Sequence, residues 1–104
     1  IRDIGVTGVQ TCALPIYLNQ KFHFTIYERA QSPHLLQIIQ DLWSHVGPYF
    51  YNLLEDNTFL AIANDQHKNI VSALERKDKF EVRQSISNDI NLAAESIIQK
   101  FNDD

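Results

Sequence analysis

A chain of 104 residues, 44% of them hydrophobic and with three Gly and three Pro, has material for one domain around one core and too little for two. No window approaches the eighteen consecutive apolar residues of a membrane span and no signal-peptide pattern is present, so the expected location is cytoplasmic, with no membrane partner. A formal charge of −4 with dispersed Lys and Arg excludes a nucleic-acid surface on this segment, and a single Cys excludes an internal disulfide.

Residues 1–16 (IRDIGVTGVQTCALPI) carry neither helical period nor sustained alternation, unlike the strongly helical remainder. Residues 6–16 back-translate, in one frame, to a widely used short-read sequencing adapter. Ile1, Arg2 and Asp3 fit the adapter segment upstream of a six-base index, and Ile4 and Gly5 fit the index. The expectation is a non-native, irregular segment over 1–16, with native sequence over 17–104 that is cut at its upstream side. Cys12 falls in that segment, and removing Arg2 and Asp3 together leaves the net charge at −4. No thiol chemistry is therefore proposed for the native part.

Four amphipathic segments follow, with no competing strand signal, so the predicted fold is an all-α antiparallel helical bundle. The first covers about 18–29, with Phe22, Ile26 and Ala30 on one face. The second opens at Ser32-Pro33, a hydroxyl cap with Pro at the first helical position. Its expected inward stripe is Leu35, Ile38, Leu42, Val46, Tyr49 and Leu53, widened by Trp43 and Phe50. Gly47-Pro48 is expected to kink or divide it, because Pro lacks a donor and clashes with the preceding turn. The aromatic group Trp43, Tyr49, Phe50 and Tyr51 reads as core or dimer surface rather than as a cofactor box.

Glu55-Asp56-Asn57-Thr58 supplies a turn with capping oxygens, after which Leu60, Ala63, His67, Ile70 and Leu74 repeat at three and four. The last helix is expected to open at Asp78 with Glu81 three residues on, a capping-box spacing. Val82, Ile86, Ile90, Ala93 and Ile97 then mark one face, and the acidic end at 102–104 is expected to fray.

Polar residues on apolar stripes are the informative ones. His67 replaces an apolar residue in the third stripe, His23 lies between Phe22 and Ile26, Asn19 lies one turn before His23, and Asp89 lies beside the last stripe. Two imidazoles, a carboxylate and an amide in a bundle core have the chemistry of a divalent-metal site, with Zn, Ni or Mn as candidates. The same residues also read as individually satisfied core groups. His34, in a first turn, and His45, beside Gly47-Pro48, read as solvent-near. Arg29 and Arg83 lie near inward faces and offer a guanidinium fork to a carboxylate ligand. A glycine-rich phosphate loop, a nucleophile elbow and H-E-x-x-H are all missing from the sequence.

These residues also carry a resemblance. Asn19-Gln-Lys-Phe22-His23 resembles the Asp-x-x-Phe-His pattern of the FCD effector-binding domain of GntR-type bacterial transcription regulators. Ala30-Gln-Ser-Pro33-His-Leu35 resembles that domain's helix junction, and the segment from His67 to Asp78 resembles its H-x-x-I-x-x-A-[IL]-x-x-x-D stretch. The resemblance implies the last four or five helices of such a domain, no enzymatic activity, and a metal held by Asn19, His23, His67 and Asp89. Asn19 stands where Asp is usual and Asp89 where His is usual, which keeps one carboxylate and two imidazoles in a harder, more oxygen-rich set. It further implies a homodimer that encloses a small organic acid and touches DNA only through a winged helix-turn-helix domain on the missing N-terminal side. A small metal-dependent hydrolase and a purely structural bundle are the rival readings; the first needs an open coordination position and a base, and only Asp89 is evident.

Overall fold

A computed structural model describes residues 14–103. Within them the chain is all-α, with α1 Leu14–Glu28, α2 Pro33–Leu54, α3 Asn57–Glu75 and α4 Lys79–Asp103. Two compact units divide at Glu55 and Asp56; the first contains α1 and α2, the second α3 and α4. No described helix is long and apolar enough to cross a membrane.

In the first unit, α1 starts four residues earlier than its periodicity predicts. Leu14 to Ile16, expected to be irregular, are its first turn. Pro15 fits there because the first amides of a helix have no intrahelical acceptor to lose. The remainder of the segment assigned to adapter lies outside the described residues. The helix ends through Gln31, whose φ of 56° reverses the chain, and Ser32 then caps α2, its Oγ accepting from the Leu35 amide at 3.4 Å while Pro33 takes the first position.

The inward face of α1 differs from the predicted Phe22, Ile26, Ala30 row. Asn19, His23 and Phe24 are buried, Phe22 and Ile26 are half-buried, and Ala30 is exposed beyond the helix end. For α2 the correction is larger. Of the predicted row only Leu53 is buried; Leu35, Ile38, Leu42, Val46 and Tyr49 are exposed, Leu42 to 63%, whereas Leu36, Ile39, Trp43, Phe50 and Leu54 hold the other covered positions. Both rows recur at three and four, so α2 is apolar on two faces and its period alone does not select the inner one. Gly47-Pro48 does not divide it, and α2 continues to Leu54 with Pro48 in its interior.

An aromatic group joins the pair. Trp43 stands edge-on to Phe24 at 5.5 Å, lies 5.8 Å from the His23 ring and 5.5 Å from Phe50. Such pairs add about 0.5–1.5 kcal/mol each beyond the area they bury. Of the aromatic residues read together in the sequence, Phe50 belongs to the core, Trp43 and Tyr51 are half-buried and Tyr49 is exposed.

In the second unit, Asp56 caps α3 as its spacing predicts, accepting the Thr58 amide at 2.9 Å and the Phe59 amide at 3.4 Å. Phe59, Ala63, Ile70 and Ala73 are buried; the two alanines let α4 approach closely, since interaxial distance follows side-chain size at the contact. The α3 terminus is a Schellman motif: the Asp78 amide donates to Ala73 O at 3.2 Å and the Lys77 amide to Leu74 O at 3.0 Å, with Lys77 at φ 55°. Asp78 then caps α4, its Oδ1 accepting the Glu81 amide at 3.1 Å. This is one arm of the expected capping box. The other arm would need the Asp78 amide, which is already given to Ala73.

The covered face of α4 is not the expected apolar row. Ile90 is exposed, Val82, Ile86, Ala93 and Ile97 are half-buried, and the most buried positions are Ser85 and Asp89, one turn apart. Polar groups therefore occupy the centre of this helix's inner face.

Candidate functional site

Two polar pairs stand out, one in each unit. On α1, Asn19 is 6% exposed and His23 3%. Their spacing of four residues puts both side chains on one helix face. Asn19 Oδ1 is buried and has no hydrogen-bond partner among the described residues, a state that costs about 1–3 kcal/mol unless a cation or donor meets it. His23 is fixed on several sides: Phe22 meets it edge-on at 5.5 Å, Trp43 lies against it, and its Nδ1 is 3.2 Å from the Tyr27 hydroxyl.

On the α3 and α4 pair, His67 Nε2 lies 3.4 Å from Asp89 Oδ2. The approach is close enough for an ion pair if the ring is protonated, yet it lacks hydrogen-bond alignment. A ring nitrogen and a carboxylate oxygen thus lie side by side on the α3 and α4 pair. Ser85, buried one turn before Asp89, adds a hydroxyl to the same face. The sequence reading missed it because a lone Ser on an amphipathic wheel is indistinguishable from a surface residue; its position four before Asp89 is the available signal.

The remaining assignments separate cleanly. His34 is exposed, and so is His45, whose Nδ1–H donates to Asp41 O at 2.8 Å. Arg29 and Arg83, expected near inward faces, are both exposed: Arg29 lies in the turn beyond α1, and Arg83 occupies the side of α4 away from Ser85 and Asp89. A groove of about 340 Å³ on the first unit is lined by Tyr17, Lys21, Phe24, Glu28 and Gln40 among others; it contains none of the predicted site residues.

In comparison with protein families, the model of the FCD domain matches residues 14–92. Comparison with curated proteins and with solved structures finds no match.

Proposed function

Since the chain belongs to the FCD domain family, the ligand-sensing domain of GntR-type regulators, we propose that it binds a small organic acid beside a divalent metal ion and thereby controls DNA binding. DNA would be held by a winged helix-turn-helix domain on its N-terminal side. The ion is held by His23, His67 and Asp89, with Asn19 as a fourth donor. His23, His67 and Asp89 each offer one ligand atom, two imidazole nitrogens and a carboxylate oxygen. This mixture suits Zn, Ni or Mn.

The observation that carries the reading is the buried Asn19 Oδ1 one turn from the buried His23. An amide oxygen is a neutral, hard donor, and a cation would satisfy it where the described residues do not. The metal supplies a Lewis-acidic anchor for a ligand carboxylate. The protein's own residues fix its position: the two α1 donors are spaced by one turn, and His67 and Asp89 are held by α3 and α4 packing. The exposed row Leu35, Ile38, Leu42, Val46 and Tyr49 supports a homodimer, since a contiguous apolar strip on a helix is a surface for a partner. Switching follows only if the acid binds one domain arrangement better than the other, because equal affinity shifts no population.

The test is metal analysis of the purified chain together with titration of Zn²⁺, Ni²⁺ and Mn²⁺. One ion per chain, lost in His67→Ala and retained in His34→Ala, is the expected result. Absence of stoichiometric binding, with melting unaltered by a chelator, leaves a structural role for the buried polar residues and removes the sensing mechanism proposed here.

A further inference from the structure

The Asn19 amide has two ends, and the ion uses only one of them. Its Oδ1 is buried with no hydrogen-bond partner among the described residues, and no hydrogen bond joins its Nδ2 to a described residue. Other polar side chains within these helices are met by their own backbone: Thr25 Oγ1 donates to Lys21 O at 2.7 Å and Ser96 Oγ to Leu92 O at 2.8 Å. Asn19 is only 6% exposed and gains no such bond from the described residues.

We propose that Asn19 selects the ligand's charge: with Oδ1 on the ion, its Nδ2–H donates to one oxygen of a carboxylate whose other oxygen meets that ion. The inference rests on the ion proposed above, and adds the residue that favours an acid over a neutral ligand.

The assignment of the two ends follows from amide chemistry. The amide nitrogen carries two hydrogens and accepts nothing, so a cation can take only the oxygen. A buried –NH₂ is then left over, and leaving such a donor unmet is costly. What meets it must be an acceptor close to the ion, because Asn19 shares a helix face with His23 one turn away. A carboxylate fits both demands. Its two oxygens flank one carbon as the oxygen and nitrogen of the amide do, so one planar group can meet the ion and the N–H together. An imidazole binds an ion through its single lone pair and has no second acceptor to offer. An aspartate at position 19 would supply oxygens only, and could not make this bond.

The experiment uses the chain loaded with one Ni²⁺ and compares the wild type with Asn19→Ala. Acetate and imidazole are the probes, and the visible absorption of the ion reports their binding. Acetate is expected to bind Asn19→Ala about 10- to 100-fold more weakly, the usual worth of a hydrogen bond to a charged group, while imidazole binds both proteins alike. Equal acetate affinity in the two proteins overturns the assignment. So does an equal loss for both probes, which would make Asn19 a support of the ion alone. Metal-free Asn19→Ala should melt no lower than the wild type, and a clear drop would place the amide's partners within the fold and overturn the assignment too. A wild-type chain that takes up no Ni²⁺ removes the ion and this inference together, whereas a loaded chain without the acetate effect removes this inference alone.

Discussion

His67 on α3 and Asp89 on α4 place a ring nitrogen and a carboxylate oxygen 3.4 Å apart, near the middle of the second helical pair. Residue 67 lies ten before Lys77 and residue 89 twelve after it, so the Schellman turn brings the two helices back with these positions nearly level. Asp89→Asn keeps the shape and removes the charge. The expected outcome is a chain with wild-type helical content and a divalent-metal affinity at least about tenfold lower, because a charged oxygen ligand gives way to a neutral one. Calorimetric titration with Zn²⁺ or Mn²⁺ reads it, and equal affinity in the two proteins would remove Asp89 from the donor set.

Chelation gives an independent expectation. An ion that binds only the folded chain stabilises it by mass action, about 2.7 kcal/mol when free metal stands at a hundred times its Kd. Melting should therefore rise with added metal and fall on treatment with a chelator, and the response should vanish in His67→Ala. In His45→Ala it should persist, since that ring is exposed and bonded to its own helix. A chelator effect of the same size in both variants would place the ion elsewhere.

Much of this arrangement can be read from residue types alone, and the exceptions have identifiable causes. The helix starts at Ser32, Asp56 and Asp78 were readable because a capping oxygen must sit just before an amide it satisfies, and each does so here. Asn19, His23, His67 and Asp89 were readable as polar residues interrupting or flanking apolar rows; three are buried, and His67 is half-buried beside Asp89. The inner face of α2 was not readable, because Leu35, Ile38 and Leu42 alternate with Leu36, Ile39 and Trp43 at the same period. Which row turns inward depends on what Phe24 and His23 offer on α1, and that is tertiary information. On α4 the apolar rule pointed away from Ser85, because the buried centre of that helix is polar.

The two rows of the bundle predict opposite responses to substitution. Ile70 is fully buried in the α3 and α4 pair, and Ile70→Ala should cost about 2–5 kcal/mol through lost burial and the cavity left behind. Leu42, 63% exposed, loses little packing on replacement by Glu, so Leu42→Glu should leave the helical signal of the chain intact while shifting a dimer toward monomer in sedimentation or light scattering. A Leu42→Glu chain that sediments as the wild type does would show that this row is not the dimer surface.

Lys77 carries the one prediction that concerns backbone rather than side chain. It occupies the C′ position of α3 at φ 55°, where an L-residue's Cβ crowds the neighbouring carbonyl at a cost of about 1–2 kcal/mol, and where Gly bears no such penalty. Lys77→Gly also makes the unfolded chain more flexible, which returns about 0.4–1 kcal/mol of the gain. The net expectation lies between no change and a stabilisation of about 1.6 kcal/mol, with Tm rising by about 4–8 °C per kcal/mol for a domain of this size. Lys77→Val should move the other way, since a β-branched side chain tolerates positive φ worst. Paired thermal melts decide the matter: a glycine variant that melts below the wild type would mean that the lysine side chain contributes more at this turn than its backbone strain costs.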